Sequence, residues 1–154
     1  MPLYYLDSSA LLKAYLPEKG STWIEELVVT ETVVISMLTV SEVASAFSRR
    51  VREGTISAGQ RQRLFDIFLA HTGRFQVMPV SPEVIDDAAA TLMRDTPNAV
   101  LRTLDAIHLA TAQRSFILAQ QAASESGVLV AADRRLRHAA LALGITVDNP
   151  EEHE

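Results

Sequence analysis

The sequence predicts an α/β fold: a three-layer sandwich in which a central parallel sheet carries helices on both faces. Three observations lead there. Short apolar runs alternate with longer segments of three-to-four-residue periodicity along the chain. The runs are nearly continuous in apolar residues, as strands buried on both faces require. With 154 residues, 48% of them hydrophobic, the chain suits one compact domain with its own core, and a disordered class is excluded.

In chain order, Leu3–Leu6 reads as the first strand, expected near the centre of the sheet. Val33–Ile35, Phe75–Val80 and Val128–Ala131 read as further strands, with Thr146-Val147 as a weaker last one. Between them, Val40, Val43, Phe47 and Val51 line one helix face. Leu64, Phe65, Phe68 and Leu69 line another. Ser81-Pro82-Glu83 marks a helix start, with serine as cap and proline in the first turn. Leu104, Ile107 and Ala110 predict a long helix running toward Gln121. Leu136 to Leu143 forms the last helix, ended by Gly144. One domain is expected over residues 1–149, followed by a polar tail at 150–154.

Composition narrows the chemistry. There is no cysteine, which removes disulfides and thiolate metal sites and fits a cytoplasmic location. Met1–Asp7 lacks a basic leader and meets a charge at once, so no signal peptide is expected. No apolar run approaches the roughly 20 residues of a membrane span. The net charge of −5 counts against a generic nucleic-acid binder, although bound divalent cations would change the local balance. The arginines gather at Arg49, Arg50 and Arg52 and again at Arg134, Arg135 and Arg137.

Ligands of parallel α/β sheets bind at the carboxyl ends of the strands, and acids stand there. Asp7 follows the first strand. Glu42 comes shortly after Val33–Ile35, in the expected first turn of the next helix. Asp133 follows the fourth strand after one residue. Asp105 opens the long helix after the loop at Pro97-Asn98. Each also reads as a helix cap or first-turn acid. Thr39-Val40-Ser41-Glu42 has the form of a capping box; Asp7 and Asp133 would cap the helices they precede, and Asp105 would sit second in a helix capped by Thr103. Caps have no reason to converge, whereas a cation site does. Clustered carboxylates repel unless a cation intervenes. Mg²⁺ or Mn²⁺ prefers such oxygen ligands and can promote attack of water on a phosphodiester.

Four segments carry a family resemblance. Leu6-Asp7-Ser8-Ser9-Ala10-Leu11-Leu12-Lys13 resembles the opening motif of PIN domains. Ile35 to Val43, with Glu42 as its acid, resembles the second. Leu104-Asp105-Ala106-Ile107-His108-Leu109-Ala110-Thr111-Ala112 resembles the third, and Val130-Ala131-Ala132-Asp133-Arg134-Arg135-Leu136 the fourth. One such string is weak; four in order over almost the whole chain are specific. The resemblance implies a PIN-like sandwich and an endoribonuclease that uses Mg²⁺ or Mn²⁺ held by Asp7, Asp105, Glu42 and Asp133, the first two as principal ligands. Small single-domain members are mostly VapC-type toxins, commonly homodimers, each neutralised by a VapB-type antitoxin. An antitoxin arginine entering the acidic pocket is expected, with Trp23, Ile24 and Phe47 supplying dimer or antitoxin surface. With no cysteine and no evident histidine pair, water is the expected nucleophile, leaving a 5′-phosphate and a 3′-hydroxyl.

Other residues have two readings. His108 is one turn after Asp105 and is either structural or an acid–base group. Ser9 either caps a helix or helps hold water near Asp7. Arg134 and Arg135 either bind RNA phosphates or form a solvated face. Trp23 reads as packing or dimer surface rather than a base-stacking platform. A response-receiver domain would need a lysine late in the chain, and none follows Lys19; a haloacid-dehalogenase-type phosphatase would need Asp-x-Asp where Asp7-Ser8-Ser9 stands. The remaining alternative is a catalytically silent PIN-like binding module.

Overall fold

The structure is a computed structural model that describes residues 1–94 and 100–153. The expected Pro97-Asn98 loop lies outside the described residues. Five strands are all parallel: β1 (Leu3–Leu6), β2 (Thr32–Ser36), β3 (Gln76–Met78), β4 (Gly127–Val130) and β5 (Thr146–Asp148), in the order β3-β2-β1-β4-β5. β1 is central as expected, pairing Leu3 with Thr32 on one side and with Gly127 on the other.

Alternation along each strand divides the core between two faces. Leu6, Val33, Ile35 and Val130 join a cluster with Ile24, Val43, Phe47 and Phe68. That layer contains α1 (Ser8–Leu12), α2 (Ser21–Thr30), α3 (Leu38–Arg52) and α4 (Ala58–Thr72). Leu3, Tyr5, Val34 and Leu129 point the other way, toward Leu109, Ala112, Leu136 and Ala140. These helical residues belong to α6 (Thr103–Ala123) and α7 (Arg134–Ala142), while α5 (Pro82–Leu92) packs on α6 through Val84, Ala88, Ala106 and Ala110. The three layers are those the apolar patterning predicts.

Some expectations need correction. β3 spans Gln76–Met78 rather than Phe75–Val80, because it is an edge strand that pairs with β2 alone. On α4 only Phe68 is buried, and Leu69 faces solvent. Leu104 is exposed near the start of α6, while Ile107 and Ala110 are buried. Ile24 and Phe47 are 0% exposed; packed under α2 and α3, they cannot supply partner surface. Trp23 is half-covered by the chain's last turn: its ring stacks on His153 with centroids 3.8 Å apart and planes 6° from parallel. In the same region buried Lys13 bridges Glu18 and Glu151 at 3.3 Å each. Gly20, at φ +85°, is needed there, since a Cβ would fall 2.2 Å from the Pro150 carbonyl oxygen.

Candidate active site

Strand order reverses at β1. The chain runs outward from β1 through β2 to β3, then returns to β1's other side for β4 and β5. A crevice opens at the carboxyl ends of the strands beside such a switch. Asp7 leaves β1 and Asp133 lies just beyond β4, so the sequence places one acid on each side of it.

A pocket of about 480 Å³ lies there, lined by Asp7, Glu42, Asp105 and Asp133 together with Ser8, Ser9, Arg49 and Arg102. All four acids singled out in the sequence therefore face one cavity. They do not form a closed cage: among the described residues no three or more histidine or acidic side chains are grouped as a preformed metal site. An open arrangement is what mutual repulsion of carboxylates favours in the absence of a cation.

Two of the four cap readings hold. Asp7 caps α1, its Oδ1 accepting from the Ala10 amide at 2.7 Å. Asp133 caps α7, with Oδ1 accepting from the Leu136 amide at 2.9 Å. Asp105 Oδ2 accepts from the Arg102 amide at 3.4 Å; it is the third residue of a helix whose cap is Arg102, not Thr103. Each of these three acids engages one carboxylate oxygen in starting a helix. The other has no hydrogen-bond partner among the described residues.

Glu42 departs from the expected capping box. α3 begins at Leu38, with Met37 at the cap position and no side-chain cap bond. Ser36 Oγ instead accepts from the Leu38 amide at 3.1 Å, and this starts the helix earlier than the sequence suggested. Glu42 thus lies one turn inside α3, and Thr39 is buried, its hydroxyl 3.3 Å from Ser8 Oγ. Glu42 Oε1 accepts from Ser8 Oγ at 2.6 Å and lies 2.6 Å from His108 Nε2. His108 Nδ1 is 2.8 Å from the Tyr5 hydroxyl. His108 is 3% exposed and does not line the pocket.

The electrostatics follow from burial and neighbours. Asp7 is 5% exposed. Desolvation raises its pKa from 3.8 to about 6 against the Ala10 amide and His108, and the charges of Asp105 and Glu42 add to the rise. Asp105 is raised too, first by burial and then by Asp133, despite the Arg102 amide. Burial also opposes ionisation of Glu42. The hydrogen bond and charge of His108 and the hydrogen bond from Ser8 outweigh it, so Glu42 sits below the usual range. Tyr5 is raised well above 10 by burial and by the charge of Asp7. A divalent cation fits this donor set: every candidate ligand is a carboxylate oxygen, and burial and neighbouring carboxylates make Asp7 and Asp105 harder to ionise, a cost that a cation would offset.

Sequence reasoning missed four residues. Ser8 and Tyr5 were read only as part of a motif and of a strand. Arg49 and Arg102 line the pocket, whereas Arg134 and Arg135, the arginines considered for phosphates, do not. The signal for Arg49 was available: it lies seven residues after Glu42, two turns along the same helix face. Neither Arg49 nor Arg102 is within ion-pairing distance of an acid among the described residues.

Comparison with known proteins agrees with this architecture. The PIN domain family profile matches residues 4–141. Ribonuclease VapC46 of Mycobacterium tuberculosis is 36% identical over 151 residues, covering 97% of this chain and 99% of its own. FitAcB from Neisseria gonorrhoeae superposes with a TM-score of 0.67 at 19% identity, over 98% of this chain and 99% of that one. VapBC2 from Rickettsia felis, in a crystal structure with a DNA fragment from their promoter, superposes with a TM-score of 0.61 at 17% identity, over 96% and 98% of the two chains.

Proposed function

Since this chain belongs to the PIN-domain family, we propose that it is an endoribonuclease of the VapC type, the toxin of a type II toxin–antitoxin pair. The observation that carries the reading is the meeting of Asp7, Glu42, Asp105 and Asp133 in one cavity, in a chain that matches a named ribonuclease from end to end. The PIN domain would span residues 1–149, with residues 150–153 packed against it through Pro150, Glu151 and His153. Among the described residues no helix is long and apolar enough to cross a membrane, and the cytoplasm is the compartment where an RNA-cutting toxin would act.

Asp7 and Asp105 would hold Mg²⁺ or Mn²⁺ through the oxygens not used as helix caps, with Glu42 and Asp133 completing the site. Bound there, a divalent ion supplies Lewis acidity and neutralises charge on the phosphodiester. The chain's own residues do the rest. Arg49 and Arg102 stand at the pocket without a salt bridge among the described residues and are suited to grip the non-bridging oxygens. Attack of water on phosphorus breaks the bond to the 3′-oxygen, which leaves with a proton, giving a 5′-phosphate and a 3′-hydroxyl. Homodimerisation and neutralisation by a VapB-type antitoxin belong to the same reading. The antitoxin part is supported by the similarity to VapBC2 of Rickettsia felis; the homodimer rests on the family resemblance.

The test is cleavage of a mixed RNA pool with Mg²⁺ or Mn²⁺, with EDTA, and after Asp7→Asn and Asp105→Asn. Cleavage lost in EDTA and in both variants is expected. Cleavage that persists in EDTA overturns the metal assignment. RNA bound but never cut across the pool would favour a silent binding module.

A further inference from the structure

Beneath the acids lies a set of polar groups that the hydrolysis described above does not use. Tyr5 is 0% exposed on the central strand, and its hydroxyl is 2.8 Å from His108 Nδ1. The other ring nitrogen, Nε2, is 2.6 Å from Glu42 Oε1 and 3.2 Å from Ser8 Oγ. Ser8 Oγ in turn donates to the same Glu42 oxygen at 2.6 Å. The chain of contacts runs from β1 through α6 and α1 to α3, tying four elements to one carboxylate oxygen.

Donor and acceptor rules constrain its direction at Glu42. An ionised carboxylate only accepts, so Nε2 carries a proton. A ring that keeps its only proton on Nε2 leaves Nδ1 as an acceptor, to which the Tyr5 hydroxyl donates. Both ring nitrogens are occupied, and the ring is sealed from the cavity. His108 therefore has neither a free nitrogen nor the access that proton exchange with a substrate would need.

We propose that Tyr5, His108 and Ser8 are positioning residues: together they lock the inner oxygen of Glu42 and so present its outer oxygen to the pocket. The inference rests on the proposed function for what the pocket holds, but the relay itself is a property of the metal-free protein. Its logic is that of outer-shell groups elsewhere, which set the angle and basicity of a ligand they touch while contacting neither ion nor substrate. It separates the four acids into two kinds. Asp7, Asp105 and Asp133 are oriented by backbone amides, and Glu42 alone is oriented by side chains.

Two measurements test it. The first is ¹⁵N NMR of the histidine side chains in metal-free protein. The expected His108 signature is a protonated Nε2 and an unprotonated, hydrogen-bonded Nδ1. Tyr5→Phe should shift Nδ1 and leave Nε2 protonated. A ring protonated at Nδ1 alone overturns the relay, whatever the metal results. The second is Mn²⁺ affinity by electron paramagnetic resonance. His108→Leu should weaken binding by about tenfold or more, Tyr5→Phe should weaken it less, and His108→Gln, which can return a donor toward Glu42, should recover much of the loss. His108→Leu that binds Mn²⁺ like wild type with only a lower melting temperature makes the residue mere packing. His108→Leu that keeps Mn²⁺ but cannot cleave makes it a reacting group. Wild-type protein that binds no Mn²⁺ defeats the metal reading of the function, while the NMR result still decides the relay.

Discussion

The carboxylate of Asp7 accepts a 2.7 Å hydrogen bond from the amide of Ala10, so the side chain that starts α1 also stands in the acidic pocket. One residue thus serves folding with one oxygen and the site with the other. The two uses conflict energetically, because a buried carboxylate beside Asp105 and Glu42 resists ionisation.

That conflict should be measurable as stability. The Asp7 pKa is raised from 3.8 to about 6, so the folded chain holds this proton more tightly than the unfolded one. The resulting stabilisation is complete below about pH 4 and is lost as pH rises through 6. Above pH 7 the ionised group costs at most about 3 kcal/mol in metal-free protein. Asp7→Asn retains an oxygen for the Ala10 amide and removes the charge. In EDTA it should melt several degrees above wild type at pH 7.5, with the gap closing by pH 4. A gap that does not change with pH would refute the argument.

Asp133 separates cap from site. Asp133→Ala loses the bond to the Leu136 amide and should cost about 1 kcal/mol along with RNA cleavage. Asp133→Ser keeps a cap but no carboxylate, so its melting temperature should return toward wild type while cleavage does not. Recovery of both would make Asp133 a cap alone.

The two pocket arginines should appear in the salt dependence of RNA binding. Measured on the cleavage-deficient Asp7→Asn background, Arg49→Ala and Arg102→Ala should each weaken binding. Each should also flatten the slope of log affinity against log salt by about 0.7 per lost phosphate contact. Arg134→Ala and Arg135→Ala, outside the pocket, should change the slope less. Equal effects from all four would point to a diffuse field rather than a grip on the reacting phosphate.

The seating of β4 rests on a close approach. A Cβ on Gly127 would fall 2.0 Å from the ring of Phe116 on α6. Gly127→Ala should therefore destabilise by about 1–3 kcal/mol, and Phe116→Leu in the same chain should relieve part of the loss, a coupling that a double-mutant cycle reads directly. Simple addition of the two effects would show that the ring moves aside without cost.

The layers were legible in the sequence because buried parallel strands leave an unmistakable trace: Leu3–Leu6 and Val33–Ile35 are apolar without a break. The acids were legible because strand ends and helix starts in this fold converge by topology. Periodicity marks a helix face, however, without saying what covers it, which is why Leu69 and Leu104 were assigned to packed faces and lie in solvent. The capping box at Thr39 failed because Ser36, still in β2, starts α3 earlier. The arrangement of Tyr5, Ser8 and His108 had no local signature. Its members are brought together by contacts spanning 100 and 103 residues.

The pairing of β1 bears on how the protein comes into being. Leu3 meets Thr32 on one edge, but its other neighbour is Gly127, so β1 gains its second partner only after β4 has been made. At roughly 5–20 residues per second, a nascent chain spends on the order of ten seconds with that edge of β1 bare. Asp133 emerges later still. Ribosome-bound fragments that stop short of it cannot assemble the four-acid pocket, so the pocket forms only once the segment through Asp133 has been made.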